Sequence, residues 1–147
     1  MRGAGRLFVG LGAILLLCAA ASAEPVEVSG RHGKSWRGTV DGMPVLMLRG
    51  THRERGEAHG RLAAREIVQN TNHLAEFIER GVPGGWKRAV SEVERFEFAL
   101  RFEEELAAIQ AAVSVTLPAG ERQLKATGRE LSVADLKVLN TADVFEL

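Results

Sequence analysis

The sequence predicts an α+β fold that is mostly helical and contains one short β-hairpin. Two long stretches repeat apolar residues every three to four positions, the spacing of a helix that packs on one face. The dipeptide Asp41-Gly42 separates two short strand-like segments and favours a tight hairpin turn. The chain has 147 residues, enough for one domain. Its 19 basic and 19 acidic side chains balance, which argues against a nucleic-acid partner.

The first 23 residues have the features of a cleavable secretory signal peptide. Arg2 and Arg6 precede an apolar run from Leu7 to Ala20, and Ala21-Ser22-Ala23 fits a signal-peptidase site. We expect cleavage after Ala23, export to the periplasm or the cell exterior, and no stable membrane span afterwards. The alternative is an uncleaved anchor helix, but a span needs about 20 apolar residues, and this run is shorter.

Residues 24–147 form the domain, and they begin with the segments of the hairpin. We expect residues 24–33 to be an extended polar leader and Ser35–Val40 to be a strand before the turn. Pro44–Leu48 is an almost continuous apolar run. Such a run predicts a strand buried on both faces.

The first predicted helix begins at Thr51 and continues to about Arg80. Thr51 and Glu54 have the spacing of a capping box, and Gly81 is expected to end the helix in the left-handed conformation. The residues predicted to face inward are Gly56, Gly60, Ala63, Ile67, Thr71, Leu74 and Ile78. Because glycine weakens a helix, two glycines one turn apart predict the close approach of another backbone.

A second helix is predicted from Trp86 to about Val113, with wide apolar faces. Its Glu103-Glu104-Glu105 run is expected to be solvated. A loop should follow from Thr116 to Leu131. Ser132 and Asp135 then form a capping pattern before a short last helix.

The residues themselves supply no active site. The single cysteine, Cys18, lies in the signal peptide, and residues 24–147 contain neither a phosphate-binding loop nor a G-x-S-x-G serine. His52 and His59 are seven residues apart, a weak pattern for zinc, so we expect no metal and no cofactor. The default role of His59 is structural, with its ring donating to a backbone carbonyl.

One motif is nevertheless specific enough to suggest a family. From Val45 to Leu62 an apolar strand leads into a helix start with the pattern G-T-x-x-E-x-G-x-x-H-G-x-L. Near the end, Ser132 to Asn140 has the pattern s-x-x-D-L-x-x-L-N. The pattern positions that we take as the family scaffold are Gly50, Thr51, Glu54, Gly56, His59, Gly60 and Asn140. Together these segments resemble the start of the acyl-CoA:6-aminopenicillanic-acid acyltransferase-like family, autoproteolytic enzymes related to phospholipase B-like proteins.

The resemblance implies an N-terminal-nucleophile hydrolase, in which two sheets lie between two helix layers. Such an enzyme cuts its precursor just before a cysteine, which then attacks an amide or ester carbonyl. Residues 24–147 would be the incomplete, pre-nucleophile part, inactive alone, with the cysteine expected beyond Leu147. The implied partners are the missing C-terminal catalytic portion and a small acylated substrate. His59 and Gly60 would be scaffold, and the glycines would allow contact between a helix and a sheet.

A reading from a different class remains open. The 124 residues after the signal peptide could be a freestanding exported helical module that binds a partner and catalyses nothing. That module should fold cooperatively, whereas a fragment with uncovered apolar faces should be molten or should aggregate.

Overall fold

The computed structural model of this chain describes residues 26–141. Within that range the fold is α+β, with five α-helices and two small antiparallel sheets. The strands are β1 (Glu27–His32), β2 (Ser35–Val40), β3 (Met43–Met47), β4 (Gln123–Leu124) and β5 (Arg129–Glu130). The helices are α1 (His52–Leu62), α2 (Ala64–Gly81), α3 (Gly85–Val93), α4 (Leu100–Thr116) and α5 (Val133–Thr141). The predicted signal peptide lies outside the described residues, and no helix within 26–141 could cross a bilayer.

The predicted hairpin is confirmed and is part of a three-stranded sheet in the order β1-β2-β3. Asp41 and Gly42 both have positive φ angles, 52° and 75°, as a type I′ turn requires. The expectation of an extended polar leader at 24–33 missed a strand. Residues 27–32 pair with β2, with an irregular register between Val28 and Gly30.

Within residues 26–141, helices cover one face of this sheet and leave the other open. Arg37 of β2 marks that face, because its guanidinium donates to the Leu62 carbonyl at 3.0 Å and pairs with Glu66 at 2.5 Å. Cross-strand partners share a face, and successive residues alternate between faces. The register therefore places on the opposite, outer face Val28, Arg31, Trp36, Val40, Met43, Val45 and Met47. The prediction that β3 is buried on both faces is wrong for residues 26–141, since Met43 is 64% exposed.

The first predicted helix is divided in two at Ala63. This residue has φ −133° and ψ 27°, and its N–H donates to the His59 carbonyl. The bend lets α1 lie along α4 while α2 contacts α3, α5 and the β4 hairpin. The predicted C-terminal role of Gly81 is also wrong. Gly81 is still helical, and Gly84 has the positive φ of 76°.

The second predicted helix is also two helices, α3 and α4, separated by residues 94–99. The following loop is partly ordered, with a 3₁₀ turn at Ala119–Arg122 and the β4–β5 hairpin. The break allows the two segments to enter different cores. Leu106, Ile109 and Val113 of α4 pack with α2 and α5, whereas Trp86 and Val93 of α3 join Val138 in a second cluster.

Candidate functional site at the glycine motif

The start of α1 forms the capping box that the sequence predicts. The Thr51 N–H donates to the Glu54 carboxylate at 2.7 Å, and the Glu54 N–H donates to the Thr51 hydroxyl at 3.3 Å. These hydrogen bonds lower the pKa of Glu54. Gly50 precedes them with φ 112°, and a Cβ there would lie 2.5 Å from a carboxylate oxygen of Glu54. Glycine at position 50 therefore provides both the backbone angle and the room that the cap needs.

Gly56 and Gly60 hold α1 directly against α4. A Cβ on Gly60 would lie 2.5 Å from the Ile109 carbonyl oxygen and 2.6 Å from the Ala112 Cβ. A Cβ on Gly56 would collide with the Glu105 carbonyl oxygen. The predicted close approach of a second backbone is confirmed. The expected neighbour, a sheet, is wrong, because the two glycines contact a helix.

A charged cluster, His52–Arg55–Glu105, lies between α1 and α4. Arg55 donates to the Glu105 carboxylate at 2.7 Å, and His52 Nδ1 lies 3.0 Å from the same carboxylate oxygen and 2.7 Å from the Arg55 guanidinium. Burial raises the pKa of Glu105, but the hydrogen bonds from Arg55 and His52 outweigh it and leave that pKa lowered. The expectation of a solvated glutamate run is thus wrong at Glu105. It is wrong again at Glu103, which pairs with Lys137 at 2.5 Å.

His59 lies half-buried on α1 beside Gly60. Burial lowers the pKa of its imidazole, and the negative charge of Glu105 opposes that shift. Within residues 26–141 no hydrogen bond joins its ring to a backbone carbonyl, so the expected donation is not formed. The lowered pKa favours the neutral imidazole near pH 7.

A second polar cluster fixes the start of α5 and was only half visible in the sequence. Asp135 is completely buried and accepts from the Trp86 indole at 3.0 Å and from the Ser132 hydroxyl at 2.6 Å. Arg129 donates to both of its oxygens, at 2.5 and 2.8 Å. Burial raises the pKa of Asp135, but the bonds from Arg129 and Ser132 lower it further than burial raises it. The capping pattern revealed Ser132, whereas the distant partners gave no local signal.

The motif residues are brought together only in part. Six of them lie within α1 or just before it, while Asn140 is on α5 and donates to the Leu136 carbonyl of its own helix at 2.7 Å. The described residues contain no group of three or more metal-ligating side chains. The cluster can therefore cap a helix and hold two helices together. Comparison with protein-family models, with curated proteins and with solved structures gives no match.

Proposed function

We propose that this chain is the pre-nucleophile segment of an exported cysteine hydrolase or acyltransferase that acts on an amide or ester bond. The observation that carries the proposal is the three-stranded sheet. Among the described residues, helices cover one of its faces, and the other presents a mostly apolar surface that includes Trp36, Val45 and Met43, with Arg31 beside Trp36. An exposed apolar face of this kind marks a surface that another element or a partner covers. A second sheet on the outer face would complete the helix–sheet–sheet–helix arrangement of the family.

The motif supports the same proposal. Gly50 leaves room for the Glu54 carboxylate that caps α1, and Gly56 and Gly60 leave room for the backbone of α4. Each of these four positions therefore has a physical requirement for its residue type. The pattern of the family that the sequence resembles is filled at every one of these positions.

In this proposal the catalytic residues lie downstream of the described residues. The thiol of a downstream cysteine attacks the carbonyl of the peptide bond before it, and that C–N bond breaks to free the cysteine α-amine. Water then hydrolyses the resulting thioester, which releases the thiol and a new C-terminal carboxylate. The same thiolate then attacks the acyl carbonyl of a small acylated substrate. Residues 26–141 contribute a helix layer and part of one sheet. The capped start of α1 and the buried Asp135 keep these elements rigid.

The decisive experiment begins with the coding sequence downstream of codon 147. An in-frame cysteine within a few tens of codons is expected. The complete precursor should then be expressed, and the new N-terminus should be identified by mass spectrometry. We expect cleavage just before the cysteine, hydrolysis of acyl-amide or ester substrates, and loss of both when that cysteine is replaced by alanine. Absence of the cysteine, or an uncleaved precursor, would overturn the proposal.

One observation favours a second candidate, a freestanding exported helical module that binds a partner. The helices enclose two cores of their own, with Trp86, Leu124, Leu136 and Val138 almost completely buried. A thermal melt of the purified chain separates the two readings. A sharp cooperative transition in a monodisperse sample supports the module, whereas a broad transition with dye binding supports a segment that lacks its second sheet.

A further inference from the structure

The outward side of α4 carries a row of exposed residues. The α4 row consists of Leu100, Glu104, Ala107, Ala111 and Val115, at helical steps of four, three, four and four. Leu100 is 76% exposed and Val115 is 66% exposed. The buried residues of α4 lie on the opposite side of the helix, so the α4 row faces directly away from the core.

A groove of about 630 Å³ runs between the α4 row and α1. Its other rim is formed by Arg53, Glu57 and Arg61, one turn apart on α1. Glu57 is paired with His32 at 3.3 Å. Arg53, Arg61 and Glu104 form no ion pair within residues 26–141. Three unpaired charges thus surround a floor of alanine.

The glycine contacts fix how the two rims are aligned. Gly56 lies against Glu105 and Ala108, and Gly60 lies against Ile109 and Ala112. Residue numbers increase in the same direction on both helices, so α1 and α4 are parallel. By this alignment Arg53 is level with Glu104, and Arg61 is level with Ala111.

We propose that a second copy of this chain docks on the groove, with the two-fold axis parallel to α1 and α4. This symmetry places α4 of each copy over α1 of the other at the same level. Glu104 of each copy then meets Arg53 of the other, which forms two equivalent ion pairs. The alanines at 107 and 111 let the backbones approach closely, and the aliphatic stem of Arg61 packs against Val115.

The other simple two-fold arrangement would bring like charges together. With the axis perpendicular to the helices and centred on the α4 row, α4 would lie antiparallel over α4, and α1 over α1. Arg53 would then face Arg61 of the other copy, and the two Glu57 side chains would face each other. Like charges in contact oppose an interface, so the parallel arrangement is the one that the surface favours.

The contact is small. A face two helices wide and about 17 Å long falls short of the roughly 800 Å² per partner of a stable interface. We therefore expect a dissociation constant on the order of 100 µM. In so small a contact the two Glu104–Arg53 ion pairs should contribute much of the affinity. The dimer does not depend on the proposed hydrolase function, because the groove and the outer face of the sheet are different surfaces.

Sedimentation equilibrium of the full chain between 5 and about 500 µM tests the proposal. Glu104→Arg replaces two attractive contacts by two repulsive ones, and we expect it to weaken the dimer about tenfold. Arg53→Glu should do the same. The double variant Glu104→Arg/Arg53→Glu restores both ion pairs in reversed order, and its dimer should recover to within about threefold of the original.

Matched controls carry the same change of charge at exposed sites away from the groove. Glu97→Arg and Arg88→Glu should leave the dissociation constant unchanged. Circular dichroism verifies that each variant is folded. A chain that stays monomeric at every concentration overturns the proposal. An unchanged dissociation constant in both Glu104→Arg and Arg53→Glu also overturns it. Failure of the double variant to recover excludes the parallel arrangement itself.

Discussion

Replacement of Gly60 by alanine tests the close contact between α1 and α4 most directly. The added Cβ would lie 2.5 Å from the Ile109 carbonyl oxygen and 2.6 Å from the Ala112 Cβ. An ordinary carbon–oxygen contact is about 3.3 Å or longer, so the α4 backbone must move by close to 1 Å. A backbone carbonyl cannot rotate away as a flexible side chain can, and the strain therefore falls on the packing of both helices.

The magnitude follows from two opposing effects. Overpacking of a well-packed contact costs about 1–3 kcal/mol, and a clash with backbone belongs at the upper end. Alanine recovers about 1 kcal/mol of helix propensity relative to glycine. The net effect is a loss of about 2 kcal/mol in the free energy of unfolding. For a domain of this size the loss corresponds to a fall of roughly 8 °C in Tm.

Urea and thermal unfolding measure this effect, and Gly81→Ala is the matched control. Gly81 is the last residue of α2, and a Cβ there meets nothing within 4 Å. The same chemical change should stabilise the chain at this position, by about 0.5 kcal/mol. Opposite signs for the two variants are the expected result. If Gly60→Ala matched or exceeded the stability of the parent, the direct helix contact would be refuted.

Three further predictions concern charged and capping groups. Asp135→Asn should lower the free energy of unfolding by about 2–3 kcal/mol, because it leaves the Arg129 guanidinium without its carboxylate. Since the pKa of Asp135 is lowered in the folded chain, the parent should lose stability as pH falls below about 4, and the variant should lack this part of the pH dependence. Thr51→Ala should cost about 1 kcal/mol in urea unfolding, and Thr51→Ser should restore most of it. The lowered pKa of His59 means that the unfolded chain binds its proton first, so stability should fall as pH drops below about 6.5, and His59→Gln should flatten that part of the pH–stability profile.

Features that depend on neighbouring residues were predictable from the sequence. The cap of α1 depends on Thr51 and Glu54, three residues apart, and the hairpin turn depends on Asp41-Gly42. The glycine pair also predicted close backbone contact, because the cost of glycine in a helix demands a reason. The element that packs against the two glycines could not be predicted, since a small residue allows close contact with a sheet as well as with a second helix.

Features set by distant partners were not predictable. The apolar spacing continues through Ala63 without a change of phase, so the break between α1 and α2 leaves no periodic signal. Tertiary packing causes it, because α1 and α2 bury their faces against different elements. Glu105 and Asp135 were equally hidden. Arg55 is 50 residues from Glu105, and Trp86 is 49 residues from Asp135, so only the fold brings them together.

The two uncovered surfaces differ in chemistry, and the difference separates the two proposals. The outer face of the sheet presents large side chains such as Trp36 and Met43, with few charges to solvate them. Exposure of such a surface is costly, so a lasting cover suits it. The α4 row has smaller side chains at its centre, Ala107 and Ala111, and the charges of Glu104, Arg53 and Arg61 beside them are well solvated. That surface tolerates exposure, and a contact that forms and dissociates with concentration suits it, because its ion pairs exchange with water at little net cost.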